Sequence, residues 1–358
     1  MADDSPDARN DYPDEPRPRK ATPNTAFAPL RVGEFRTLWT ASLFSNLGSF
    51  IQITAGSWLM WELTASPAWV GWMTAARNLP LLLLAIPAGV LADRLDRTRV
   101  LATSQLAMGL VAGVMAVLTW MGWMGPGLLL LLGIALGVGV AFTAPTWQSL
   151  VPDLVPRAMV TSAVALNSVS ASSARAIGPA IGGILVATVG ASAAFGLNAV
   201  SYLFMVAAFI LVGRGVATRN YDGSSMSRAV VTGLRFAAHT PPFRRLLVLG
   251  TVFALTTAVL QAMLPVRTEE LGRDAGSYGL LLGMMGAGAA VGGIALGRLN
   301  RLLQAKTIPI TITLTGAAGV AVGLAPNLVG ASVAMFAVGA FWVSTLANLN
   351  ATVQLLSP

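Results

Sequence analysis

Apolar residues gather into ten long runs along this chain, at residues 38–61, 68–91, 100–122, 127–150, 163–188, 192–213, 245–265, 276–297, 307–325 and 328–350. Each run is about 20 residues, enough for a helix to cross the roughly 30 Å hydrocarbon core of a bilayer. The alternation expected of membrane strands is missing, and in lipid only helices and closed barrels satisfy their own backbone. The pattern therefore predicts an all-α integral membrane protein, a multi-pass bundle whose first partner is the lipid bilayer.

Composition agrees with that pattern. Hydrophobic residues make up 55% of the 358 and charged residues 11%, and mean hydropathy is +0.69; soluble domains carry about 25% charge. The net charge of +8 raises the question of nucleic acid, but the basic residues sit in short connections between apolar runs, where they set orientation, and no nucleic-acid partner is implied. Cysteine is absent and His239 is the only histidine. Disulfides, thiolate metal sites and an intramembrane histidine relay are thereby excluded. No phosphate-cradling Gly-x-x-x-x-Gly-Lys-Ser/Thr and no nucleophile–histidine pairing occurs, so no enzyme, no catalytic residue, no metal and no cofactor is expected.

Lys and Arg are distributed unequally between the two sets of connections. One side holds Arg9, Arg17, Arg19, Lys20, Arg31 and Arg36, then Arg94, Arg97, Arg99 and Arg157, then Arg214, Arg219, Arg228, Arg235, Arg244 and Arg245, then Arg298, Arg301 and Lys306. The other side holds Arg267 and Arg273. This asymmetry predicts a cytoplasmic N-terminus and a cytoplasmic central loop in the cell inner (plasma) membrane. Residues 1–27, rich in Asp, Pro, Arg and Asn, have no apolar period, and a disordered cytoplasmic tail is expected over 1–34. The first run is too long for a signal peptide and lacks its basic approach and cleavage pattern. Trp58, Trp61, Trp69, Trp72, Trp120 and Trp123 fall at the outer ends of the first three runs, as an interfacial aromatic belt would.

The chain also repeats itself. DRLDR (93–97) aligns with GRLNR (297–301), with Gly89 opposite Gly293, and TAPTWQSLVPDLVP (143–156) aligns loosely with TLANLNATVQLLSP (345–358). Two related halves follow: a six-helix N-terminal half over 35–213, a cytoplasmic central loop over 214–244, and a C-terminal half over 245–358 containing helices 7–10. The second copy stops after its fourth helix, which leaves two readings, a truncated chain, the one favoured, or a genuine ten-span variant.

GVLADRLDRTR (89–99) resembles the loop motif of the major facilitator superfamily, Gly-x-Leu-Ala-Asp-Arg-x-Gly-Arg-Lys. Gly89, Leu91, Ala92, Asp93, Arg94 and Arg97 match; Asp96 and Thr98 depart from it. Aspartate at that place is usual in the branch of the enterobactin exporter and the transmembrane secretion effectors. FRTLWTASLFSNLGSFIQ (35–52), WLMWELTASP (58–67), LPLLLLAIPAGVLAD (79–93), QSLVPDLVPR (148–157) and ARAIGPAIGG (174–183) extend the resemblance over about residues 35–358. It implies a bundle of two pseudo-symmetric halves with ten of the usual twelve helices present, working by alternating access. The implied activity is export of a siderophore-like or drug-like small molecule, driven by protons.

Candidate site residues follow from chemistry and from the resemblance together. Gly89, Asp93, Arg94 and Arg97 would form a latch, because a carboxylate at a helix end pairs with arginines and with the positive N-terminus of a neighbouring helix. Gly178, Pro179, Gly182 and Gly183 allow close backbone approach and a local bend; the resemblance implies that they pack between the halves, with the glycines at 283, 286, 288, 292 and 293 as the facing partner. Arg77 lies about nine residues into its run, roughly 14 Å from the outer end, and Arg175 is similarly deep. Charges at such depth face a wet cavity or pair with polar groups. No Asp or Glu lies inside any run, Glu62 being the deepest, so the cavity should suit neutral or anionic cargo. Asn46, Gln52, Asn78, Gln148, Gln261 and Asn348 are further pathway candidates. Three alternatives stay open: an uncoupled facilitator or importer, a non-transporting sensor or assembly protein, and an inactive truncated fragment.

Overall fold

The computed structural model describes residues 26–212 and 241–356, and within these the side chains of 85–94, 242, 305 and 353–356 are outside the description. Among the described residues, ten long helices stand where the ten runs were read: α1 (Gly33–Thr64), α2 (Pro67–Arg94), α3 (Arg97–Trp120), α4 (Pro126–Leu150), α5 (Val160–Val189), α6 (Ala191–Val212), α7 (Pro241–Glu270), α8 (Ala275–Leu303), α9 (Thr307–Leu324) and α10 (Leu328–Leu356). Most extend a few residues past the apolar run, so Glu62 and Glu269 fall inside helices rather than in connections. The helices α3 to α10 are long and apolar enough to cross a membrane. In α1 the apolar run is diluted by Ser42, Ser45, Asn46, Ser49, Gln52, Thr54 and Ser57, all buried or half-buried, and in α2 by Arg77 and Asn78.

Local chemistry explains where the helices begin and end. Asp96, the departure from the loop motif, caps α3: its carboxylate accepts from Thr98 N at 2.8 Å and Arg99 N at 3.2 Å, meeting two otherwise orphan donors. Asp274 does the same for α8 through Ser277 N at 3.0 Å. α1 ends at Ala65, left-handed at φ 46°, and α2 starts on Pro67, a residue suited to a first helical turn. Arg267, one of the two basic residues on the sparse side, donates to the carbonyls of Val322 and Ala325 at the end of α9. Cations are favoured there by the helix dipole.

Packing follows the repeat. α2 packs along α4 and α3 against α4; in the second half α8 packs along α10 and α9 against α10. Across the halves, α5 lies along α8 and α2 meets α7. One core spans both halves through Ile51, Trp58, Met60, Phe195, Tyr278, Leu281 and Met335, and a second fills the opposite end of the first half with Phe35, Leu38, Leu150 and Phe209. Large apolar side chains such as Leu82, Leu110, Leu131, Leu211, Ile294 and Val329 point outward. That exterior suits lipid tails, which are as apolar as the side chains themselves.

Three expectations change here. Ala28–Arg31, assigned to the disordered tail, form a helical turn that buries Ala28 and Pro29, and α7 begins at Pro241, before the expected end of the central loop. Residues 1–25 of the tail and 213–240 of that loop lie outside the described residues. Trp69, Trp72, Trp120 and Trp123 are exposed as a belt requires, but Trp58 and Trp61 are buried. Their indole N–H groups are satisfied inside the protein, by Glu62 Oε1 at 2.6 Å and Glu269 Oε2 at 2.8 Å.

Candidate functional site

A cavity of about 380 Å³ lies between the halves, within the range of small-molecule sites. The first half contributes Ser49, Phe50, Gln52 and Ser57 from α1, Thr74, Arg77 and Asn78 from α2, Arg175 and Pro179 from α5, and Asn198 and Tyr202 from α6. The second half contributes Gln261 from α7, Tyr278, Leu282, Met285, Gly286 and Ala289 from α8, and Trp342 from α10. A cleft sharing Thr74, Asn78, Gln261 and Trp342 continues from it past Gly250 and Leu349 to Asn350. It leads away from the end where α1 meets α2.

Polar groups on the first-half wall are held by one another. Asn198 donates to Gln52, Ser201 to Asn198 Oδ1 at 2.9 Å, and Ser49 and Tyr202 share a hydrogen bond at 3.1 Å. A buried amide pair satisfied this way fixes the wall at little cost. The two arginines differ from that network. Among the described residues, neither Arg77 nor Arg175 has a hydrogen-bond acceptor or an ion-pair partner. Arg175 Cζ instead lies 4.9 Å from the ring centroid of Trp342 and 5.7 Å from that of Phe50, inside cation–π range. Trp342 belongs to the second half, so this contact crosses the interface. The lining residues include no carboxylate, imidazole or thiolate, a donor set suited to anions and neutral polar groups rather than to free metal ions.

The other candidates divide. Gln52, Arg77, Asn78, Arg175 and Gln261 line the cavity; Asn46, Gln148 and Asn348 do not. Asn46 is used within the first half, donating to Ser42 and Ser170 at 3.4 Å. Asn348 donates to Asn300 Oδ1 at 3.0 Å and Ser344 O at 2.8 Å, and Gln148 is exposed near the end of α4. Phe50, Asn198, Tyr202, Tyr278 and Trp342 also line the cavity, beyond the candidates that the sequence singles out. Asn198, an amide in an otherwise apolar run, carried the same signal as Gln52. Trp342 was marked by a tryptophan lying well inside a run rather than at an interface.

The GPAIGG segment sits between two neighbours. A methyl group on Gly178 would meet Phe50 Cβ at 2.6 Å, and one on Gly182 would meet Ile51 Cα at 3.0 Å, both on α1. On Gly183 it would meet Gly279 Cα of α8 at 2.5 Å. α5 and α8 touch backbone to backbone there, which only glycine permits. The glycine run of α8 is shared: Gly283 and Gly286 face α5, Gly288 and Gly292 face α10, and Gly293 faces no neighbour within 4 Å.

Among the described residues, contacts between the halves include a set at the α1–α2 end. There Trp61 bonds Glu269, Trp58 packs on Tyr278 with centroids 5.6 Å apart, and Gly71 approaches Ala262. At the opposite end, the side chains of Gly89, Asp93 and Arg94 lie outside the described residues. Arg97 pairs with Asp153 at 2.8 Å and donates to Ser149 O at 3.4 Å, which ties α3 to the end of α4 within one half.

Comparison with known proteins agrees with this architecture. Residues 24–358 match the model of the transmembrane secretion effector family. The staphyloferrin A transporter of Staphylococcus aureus is 27% identical over 238 residues, 65% of this chain and 59% of the relative. The multidrug efflux pump Tap of Mycolicibacterium fortuitum is 24% identical over 315 residues, 85% and 76% respectively. The chain thus spans less than two thirds of the length of the staphyloferrin A transporter. Among solved structures, an inward-facing, unoccupied bacterial homologue of the human lysosomal transporter Spinster superposes with a TM-score of 0.68 at 16% identity, over 92% of this chain and 79% of that one. A nucleoside transporter gives 0.69 at 11% identity, over 91% and 84%. The fold is that of the major facilitator superfamily, and the chain belongs to its transmembrane secretion effector family.

Proposed function

We propose that this protein is a secondary transporter exporting a small, neutral or anionic, siderophore-like or drug-like molecule by alternating access, with protons as the driving ion. The observation that carries this reading is the cavity between the halves, with two arginines that have no counter-charge among the described residues and no carboxylate in its lining. A cargo entering from the cleft side meets positive charge in a partly apolar surrounding, where attraction is stronger than in water. The relatives named for a siderophore and for multidrug efflux support the cargo class.

In this reading the α1–α2 end is the outer one, the N-terminus and the segment around Ser225 are cytoplasmic, and the structure is closed outward. The segment of Gly89, Asp93, Arg94 and Arg97 latches the cytoplasmic side in the opposite state, and Gly178 to Gly183 seals α5 to α8 against leakage. Reporters fused near Ser225 and near Asp274 test the orientation; the account expects a cytoplasmic signal from the first and an outside signal from the second.

A second reading, an uncoupled facilitator or importer, draws on the same absence of a carboxylate from the lining residues. Collapsing the proton gradient in cells that extrude a fluorescent anion separates the two. Loss of extrusion against the concentration gradient supports coupling, and unchanged net flux supports the facilitator.

A further inference from the structure

Arg175 is the one charged group whose described contacts reach across the two halves at mid-depth, and those contacts leave its donors free. The guanidinium carbon lies over the rings of Phe50 and Trp342, while its N–H groups meet no acceptor among the described residues. An arginine held by aromatic faces presents a flat, pre-oriented fork, the arrangement that pairs with a carboxylate through two parallel bonds. Leu282 and Met285 are among the apolar residues that line the same cavity.

We propose that this fork is the binding site for the carboxylate of an aromatic acid, whose ring packs among Phe50, Trp342 and Leu282. The assignment rests on the export reading for its biological direction and adds the chemical class of the cargo and the residues that select it. It also makes the site state-dependent. Arg175 and Phe50 belong to the first half and Trp342 to the second, so rocking of the halves separates the ring from the guanidinium and loosens the grip on the bound acid. Arg77, without such an aromatic support among the described residues, supplies general positive potential instead.

The test is equilibrium binding to the purified protein with salicylate as probe and salicylamide as its neutral counterpart, in the absence of any gradient. The expected result is preference for salicylate, an affinity loss of at least tenfold in Arg175→Gln and a several-fold loss in Trp342→Leu, with recovery in Trp342→Phe. Salicylamide binding should stay within twofold throughout. Equal affinity for the two probes, or full salicylate binding by a monodisperse Arg175→Gln protein of unchanged melting temperature, overturns the proposal. If Arg175→Gln fails to fold, the Trp342→Leu and Trp342→Phe pair carries the test, and salicylate affinity indifferent to both overturns it. Because no transport is measured, a protein that binds as described but moves nothing refutes export and leaves the site standing.

Discussion

The indole of Trp61 on α1 donates to Glu269 Oε2 on α7 at 2.8 Å, fastening the two halves at the end where α1 and α2 meet. A bond from a neutral donor to a carboxylate is worth about 1.5–3 kcal/mol when buried, less when the acceptor is accessible to water, and Glu269 is exposed. A loss of about 1 kcal/mol corresponds to roughly a fivefold shift between states.

Trp61→Phe should therefore weaken closure at that end without unfolding the bundle. The chain has no cysteine, so a disulfide pair placed at Gly71 and Ala262, which approach each other across the halves, reports closure cleanly. Cross-linking yield is expected to fall severalfold in Trp61→Phe and in Glu269→Leu alike. Unchanged yield in both would remove the clamp.

Gly183 and Gly293 make an internal comparison. A methyl group at 183 lands 2.5 Å from Gly279 Cα, whereas one at 293 meets no neighbour within 4 Å. Gly183→Ala must push α5 off α8 and should cost about 1–3 kcal/mol, as overpacking does. Gly293→Ala should be neutral or slightly stabilising, since alanine is the better helix former. Melting temperatures of the two variants in one detergent check this; equal shifts would mean that the α5–α8 contact is not close packed.

Arg77 is half-buried and has no acceptor among the described residues, so it contributes desolvation cost rather than bonding. Arg77→Gln is expected to leave the melting temperature unchanged or raise it. A marked drop would identify the residue as part of the structure and count against its place in the pathway.

The Asp274 cap predicts a pH effect at the α1–α2 end. The Ser277 backbone N–H holds its carboxyl below the ordinary carboxylate value, so the charged form is favoured by folding. The stabilisation is present above the unfolded value of about 4 and is lost as pH falls through the lower folded value. Asp274→Asn should remove part of the acid dependence of the melting temperature below about pH 4, with little change at pH 7. An identical acid profile in the variant would show that the cap does not titrate as described.

Much of the fold was legible because a bilayer imposes one rule on every spanning segment, and an apolar run of about 20 residues satisfies it visibly. That Arg77 and Arg175 interrupt apolar runs was visible for the same reason, and both line the cavity. What each polar residue faces was not. In a membrane helix both the lipid side and the packed side are apolar, so periodicity does not separate them, and a polar residue announces only that it needs a partner. Asn46 finds that partner in Ser42 and Ser170, and Asn348 in Asn300; Gln52 finds it in a cavity wall. Trp58 and Trp61 followed the rule for belt tryptophans by position, yet Glu62 and Glu269 supply acceptors that let them turn inward. Asp96 read as a deviation from a motif, and its role as a cap depends on backbone geometry at the start of α3.

Transport by the protein in proteoliposomes, measured with a paired anionic and neutral fluorescent substrate of equal size, decides whether the cavity selects and moves anions. Saturable movement of the anion, accelerated by an opposing proton gradient, is expected, with a loss of at least tenfold in Arg77→Gln and the neutral substrate reduced far less. Flux indistinguishable from protein-free vesicles, or an equal small loss for both substrates in Arg77→Gln, would contradict it.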